Sequence, residues 1–198
     1  MKRLINYLFV IFLLTSCSTN QNRIISLSGE WEFKTDSLDV GEKKAWYEKN
    51  FDEVVQLPGS MVENGRGNEI TLKTEWTGSI RNKEWHKDPN YAPYHDPDNI
   101  RFPYWLQPLK KYSGAAWYQK SLTVPSRWKD KNVYLNLERC HWETTVWVDG
   151  NKAGVQNSLA TPHRYNLGSL SPGNHKITIR VDNRVKEVDP GHNSHSIT

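Results

Sequence analysis

Twenty-two acids, seven histidines and two cysteines could do acid–base, covalent or metal chemistry in this chain, and their spacing decides which of them do. Two carboxyl groups roughly 5 Å apart can act as proton donor and nucleophile in breaking a glycosidic bond. Glu138 and Glu143, flanking Cys140-His141-Trp142, are the pair that invites this reading. Their place at a strand end and in the loop after it marks them instead as solvated surface acids, and no catalytic residue is nominated. His86, His95, His141, His163 and His175 show neither the i, i+4 spacing of a helical zinc site nor cysteine partners. His192 and His195, three apart in GHNSHS, are only a weak metal signal, and neither metal nor cofactor is expected. Gly65-Arg66-Gly67 is too short to cradle a phosphate and no helix pattern follows it.

One acid is placed by strand parity. In His175 to Val181, Ile177, Ile179 and Val181 alternate with Lys176, Thr178 and Arg180, so Asp182 falls in the outward phase at the strand exit. An acid there is expected to project away from the core, free to contact a ligand, with the carboxamide of Asn183 beside it as donor and acceptor. The bland alternative is a turn that merely ends the strand.

The elements that must position these residues are strands. Val133, Leu135 and Leu137 alternate with Tyr134, Asn136 and Glu138; Thr144 to Val148 alternates likewise into Asp149-Gly150, a tight hairpin signal, with Lys152 to Val155 as the returning strand. Ile24 to Phe33 reads as a strand bent at Ser28-Gly29, Asp39 to Phe51 has room for one short helix, and Asp52 to Leu57 is a strand stopped by Pro58-Gly59. From Ser60 to Tyr112 the periodicity dissolves. Trp76, Trp85, Tyr91, Tyr94, Phe102, Tyr104 and Trp105 are spread there among prolines, as rings that cover a sandwich edge or stack on a sugar. Short alternating strands with almost no helical period indicate an all-β sandwich, read here as a jelly roll.

The N-terminus carries its own pattern. Lys2 and Arg3 precede an apolar run, Leu4 to Leu14, too short to span a bilayer, and Leu14-Thr15-Ser16-Cys17 matches a bacterial lipobox in which Cys17 is lipidated. Residues 1–17 are therefore expected to be a lipoprotein signal peptide, 18–23 a polar tether and 24–198 one domain, held at the periplasmic or outer surface of a bacterial envelope with the lipid as its only membrane contact. Loss of Lys2 and Arg3 lowers the formal charge of +4 to about +2, with acids and bases mixed throughout, which excludes a nucleic-acid footprint. Cys140 is then the sole thiol, so no internal disulfide forms, and it reads as a small hydrophobe without chemistry.

AWYQKSLTVP, VWVDG, PHRYNL and IRVDN, in that order, resemble the N-terminal sugar-binding domain of glycoside hydrolase family 2, from about Leu27 to the end. The resemblance implies a galactose-binding-domain-like jelly roll that binds a β-linked glycan, most often a galactoside, while hydrolysis belongs to a barrel domain that this chain does not contain. It also implies that the fragment stops before its last strand, that His163 in TPHRY is structural, that GHNSHS runs along the interface with the next domain, and that Asp182 and Asn183 hydrogen-bond a sugar hydroxyl. The alternatives are a stand-alone, non-enzymatic carbohydrate-binding lipoprotein and a structural spacer.

Overall fold

Ile177, Ile179 and Val181 do point to one side of a strand, the central one of the molecule. The computed structural model describes residues 23–74, 84–96, 98–102 and 109–184, among which ten strands lie. They are β1 (Gly29–Asp36), β2 (Glu53–Leu57), β3 (Asn68–Glu69), β4 (Lys110–Lys111), β5 (Ala115–Val124), β6 (Asn132–Leu137), β7 (Glu143–Val148), β8 (Asn151–Asn157), β9 (His163–Ser169) and β10 (Gly173–Asp182). Six form an antiparallel sheet in the order β2-β1-β5-β10-β7-β8. β6 and β9 pair as a second layer, and β3 with β4 makes a short ribbon.

The two layers meet in one apolar core. Trp31, Phe33, Val55, Ala116, Val146, Val148, Ile177 and Ile179 come from the large sheet, and Leu135 and Tyr165 from the small one. Burying each large side chain of this kind contributes about 2–3 kcal/mol. The all-β sandwich expected from alternation is therefore what the chain forms. Its layers are unequal, and beyond the reach of β6 and β9 the core is closed by Leu27, Leu57 and Met61, with the Arg66 guanidinium 5.6 Å from the Phe33 ring centre.

The reverse face of the large sheet is buried as well, which alternation did not foresee. The connection between β1 and β2 folds back over it. Trp46 packs edge-on with both Phe51 and Trp117, and Tyr47 stacks on Trp147, which stacks on Trp117 at 5.1 Å. Gly41 permits this close approach, because a Cβ there would lie 2.6 Å from the Trp117 ring and 2.7 Å from the Asp36 carboxylate. Thr178 and Arg180 thus face away from the core as parity requires, yet both are buried. Thr144 to Val148 is buried on both sides for the same reason. The short helix expected between Asp39 and Phe51 is a single 3-10 turn, Trp46–Glu48.

Other boundaries shift by a few residues. β1 starts at Gly29 rather than Ile24, and the Leu27 carbonyl accepts the Trp31 indole N–H at 2.8 Å instead of a strand partner. The returning strand β8 is longer than expected, reaching Asn157. Within the aromatic excursion, Trp85 is buried against the rings of His86, Tyr91, His95 and Phe102, so these rings cover one another. Trp76, Tyr104 and Trp105 lie outside the described residues.

Asp149 and Gly150 both take positive φ, as the tight β7–β8 turn demands. The Asp149 carboxylate accepts the Lys176 backbone N–H at 2.8 Å and meets His175 Nδ1 at 2.6 Å, while His175 Nε2 lies 2.7 Å from the Ser171 carbonyl. With an acceptor at each ring nitrogen the imidazolium is favoured. Burial opposes charging, but the Ser171 and Asp149 contacts outweigh it and raise the His175 pKa above 6.5. Burial likewise works against the Asp149 charge, and the Lys176 and His175 hydrogen bonds overcome it to hold that carboxyl below 3.8. The His175 contribution to stability is complete below pH 6.5 and is lost as pH rises through the raised value; that of Asp149 is complete above pH 3.8 and is lost as pH falls through the lowered one. Thermal melts of the chain and of His175→Gln should therefore differ most near pH 5 to 6 and converge toward pH 9.

Candidate functional site

Four strands put their last or first residues into one row at the end of the large sheet. Asp36 ends β1, Ala115 begins β5, Asp182 ends β10 and Glu143 begins β7; the register pairs Asp36 with Ala115, Ala115 with Asp182, and Asp182 with Glu143. Three carboxylates in a four-residue row repel one another unless cations intervene. Arg180, two residues back on β10, and Arg184, two residues beyond the row, supply them.

Asp182 has no exposed surface. Its Oδ1 accepts the Arg184 backbone N–H at 3.0 Å and Nε at 2.9 Å; its Oδ2 accepts Arg184 Nη2 at 2.6 Å and Arg180 Nη2 at 3.0 Å. Asp39, arriving in the cover segment, spans both cations, with Oδ1 2.7 Å from Arg180 and Oδ2 2.6 Å from Arg184. Glu143 stands 3.8 Å from Arg180 Nη1. It is therefore part of a half-buried ionic network and not the solvated acid expected, because the cover segment excludes water from this face. Glu138 is exposed as expected.

The charge states follow from these contacts. Burial works against the Asp182 charge, but hydrogen bonds from the Arg184 side chain and backbone and the nearby Arg180 bring its pKa down to about 2. Asp39, disfavoured by burial and favoured by both arginines, is also held low. The bonds to Asp182 and Asp39 raise Arg184. A carboxylate so firmly ionised cannot donate a proton at neutral pH. What the row offers outward is Asp39, 41 % exposed, and Arg184, 40 % exposed.

Asn183 ties the row to the long excursion. Its Oδ1 accepts the Gly114 N–H at 2.8 Å, and its Nδ2 donates to the Tyr112 carbonyl at 2.8 Å. Tyr112 in turn donates its hydroxyl to the Ala115 carbonyl at 2.7 Å and accepts the Asp36 N–H at 3.0 Å. Trp142 brackets the same stretch, its backbone N–H donating to the Asp182 carbonyl and its indole N–H to that of Arg184.

The structure thus brings Asp182 and Asn183 together at the strand exit as their adjacency requires, but the Asp182 carboxylate is engaged by arginines rather than free. Sequence reasoning did not find Asp39, Arg180, Arg184 or Tyr112. Arg184 repeats the parity of Arg180 and Asp182, a signal that was readable; Asp39, more than a hundred positions away, carried none. His163 is buried, with Nδ1 2.6 Å from the Thr144 hydroxyl and Nε2 against Ser158, which is a structural role. Burial pushes the Cys140 thiol up to about 11, so it is neutral at pH 7. Cys17, His192 and His195 lie outside the described residues.

Comparison with known proteins gives the context. No family model matches the chain. A β-galactosidase of Streptococcus thermophilus is 24% identical over 163 residues, 79% of this chain and 14% of that protein. A putative β-glucuronidase of Formosa agariphila is 30% identical over 74 residues, 37% of this chain and 7% of that protein. Among solved structures, a Ruminococcus gnavus β-glucuronidase superposes with a TM-score of 0.55 at 18% identity, covering 84% of this chain and 22% of its own. The chain is thus homologous, over most of its length, to part of the β-galactosidases and β-glucuronidases of glycoside hydrolase family 2. It spans 14% of the first of these relatives and about a fifth of the solved structure.

Asp182→Ala removes the buried one of the two anions that Arg180 and Arg184 share, and should destabilise the chain by about 3–5 kcal/mol in urea unfolding. Asp182→Asn, which keeps the side-chain shape and one of the two acceptor oxygens, should lose less. The wild-type contribution is complete above pH 3.8 and should persist in acid until pH falls toward about 2.

Proposed function

We propose that this chain is the sugar-binding N-terminal part of an exported family 2 glycosidase of the β-galactosidase kind, which hydrolyses O-glycosyl bonds with a barrel domain encoded beyond these 198 residues. The observation that carries the reading is the row at the strand exit. Its central acid, Asp182, is ionised and neutralised by Arg180 and Arg184, a state suited to holding hydrogen-bonding groups in place and unsuited to proton donation.

In this reading Asp182 and Asn183 make the floor of a sugar subsite. Asp182 fixes Arg184 and Asp39, whose exposed edges offer a donor and an acceptor to sugar hydroxyls. Asn183 fixes the Tyr112–Gly114 turn beside them. Homology to proteins named β-galactosidase and β-glucuronidase supports a β-linked sugar as the partner. The lipobox supports anchorage by a lipid on Cys17 at the periplasmic or outer face of a bacterial envelope.

Three experiments test this. Expression of the reading frame continued past Thr198 should give a protein that cleaves aryl β-galactosides or β-glucuronides, while the 198-residue chain does not; a stop codon directly after Thr198 would favour the stand-alone carbohydrate-binding lipoprotein. In the longer protein, once folding is verified, Asp182→Ala should raise KM about tenfold, because Arg184 and Asp39 lose the anion that holds their sugar-facing edges in place; an unchanged KM would remove the subsite. Separately, a fatty-acid label should enter the expressed protein and sediment with membranes, and Cys17→Ser should abolish both.

A further inference from the structure

The large sheet ends at β2, beyond which it has no further strand. Alternate residues of an edge strand turn their backbone N–H and C=O groups outward, and on β2 these are Val54 and Gln56. Such a row is a template for another strand. The sequence of β2, Glu53-Val54-Val55-Gln56-Leu57, suits pairing, with two β-branched residues side by side, a single charge and no proline within it. Val54 is 46 % exposed, so the edge is apolar as well as unpaired by any strand.

The turn that follows β2 folds back and fills this edge. Asn64 Oδ1 accepts the Gln56 N–H at 2.7 Å, and Asn64 Nδ2 donates to the Gln56 carbonyl at 3.1 Å. One carboxamide thus makes both of the bonds that a residue of a neighbouring strand would make. Arg66 Nη2 donates to the Val54 carbonyl at 3.0 Å, while Nη1 pairs with Glu53. The turn is braced for the task. The Ser60 N–H donates to the Glu63 carboxylate at 2.7 Å and the Glu63 N–H to the Ser60 hydroxyl at 3.1 Å, a reciprocal cap. Asn64 Nδ2 also donates to the Ser60 carbonyl at 2.9 Å, and Met61 packs against the core. Gly59 leaves the room needed, since a Cβ there would stand 2.9 Å from the Gln56 carbonyl oxygen and 3.3 Å from Asn64 Nδ2. The same device recurs on β9, where the Gln156 carboxamide accepts the Arg164 N–H and donates to its carbonyl.

We propose that β2 is a latent pairing edge for the β2 of a second copy of this chain, held shut by Asn64 and Arg66. A two-fold antiparallel pairing centred on Val55 sets Val54 opposite Gln56 and Glu53 opposite Leu57 of the other copy. Outward backbone groups then meet in bonding pairs, and no like charges face each other. While the turn is in place those groups are satisfied within one chain, at no cost in association entropy. Loss of the two side chains leaves the Gln56 N–H, the Gln56 carbonyl and the Val54 carbonyl unfilled, and a second β2 satisfies them.

Sedimentation equilibrium of the 198-residue chain, with circular dichroism to verify folding, tests the proposal. The double variant Asn64→Ala, Arg66→Ala should dimerise at least about tenfold more tightly than the wild-type chain. Asn64→Asp keeps the acceptor for the Gln56 N–H but turns an anion toward the Gln56 carbonyl. It should shift the equilibrium the same way, and it serves where the double variant does not fold. Adding Gln56→Pro, which deletes the outward N–H and spares the pairing with β1, should return either variant to the wild-type constant. Val54→Lys, a charge on the edge, should do the same. Association through any other surface is common to all these proteins and cancels in the comparison. Association no tighter in the folded Asn64 variants than in wild type, or tighter association that survives both Gln56→Pro and Val54→Lys, would overturn the proposal.

Discussion

A carboxylate with no exposed surface sits between two guanidinium groups at the end of the central strand, and the arrangement of that end follows from it. Removing Asp182 from water is unfavourable unless its lone pairs are filled, so Arg180 and Arg184 are drawn to it. Two arginines around one acid leave positive charge in excess, and Asp39 satisfies it from the segment that crosses the sheet. The ion network therefore joins the cover to the sheet. The same segment carries Trp46, Tyr47 and Phe51 onto Trp117 and Trp147, so apolar burial and charge neutralisation hold it from two points.

This doubly covered sheet explains why the molecule is not a sandwich of equal halves. A six-stranded sheet opposed by two strands would expose much of its inner face. The chain closes the remainder with loops: Leu27, Met61 and Arg66 on one side, the β1–β2 connection on the other. Two of the surfaces left to solvent are polar. One is the edge of the charged row at the strand exit; another is the Asn-rich outer face of β6 and β9.

Asn183 and Tyr112 show how backbone and side chain share the work at the exit. The Asn183 carboxamide spends both its acceptor and a donor on the Tyr112–Gly114 turn, and the Tyr112 hydroxyl links the ends of β1 and β5. The long aromatic excursion thus returns to the sheet at the place where Asp182 emerges.

The alternation of Ile177, Ile179 and Val181, and of Val133, Leu135 and Leu137, was enough to specify strands, their buried sides and the all-β class, because side chains on a strand must alternate faces. Asp149-Gly150 specified its hairpin for an equally local reason, the tolerance of both residues for positive φ. Parity also placed Asp182 on the face away from the core. Whether that face met water was another matter, since parity records direction and not what lies beyond. Only the folded chain brings Asp39 to Arg180 and Arg184, more than a hundred positions distant, and so turns an acid expected to be free into a buried, ionised anchor. Contacts of that range depend on which loop covers which surface, and that is decided by the packing of Trp46 and Tyr47 on Trp117 and Trp147 rather than by any pattern near Asp182.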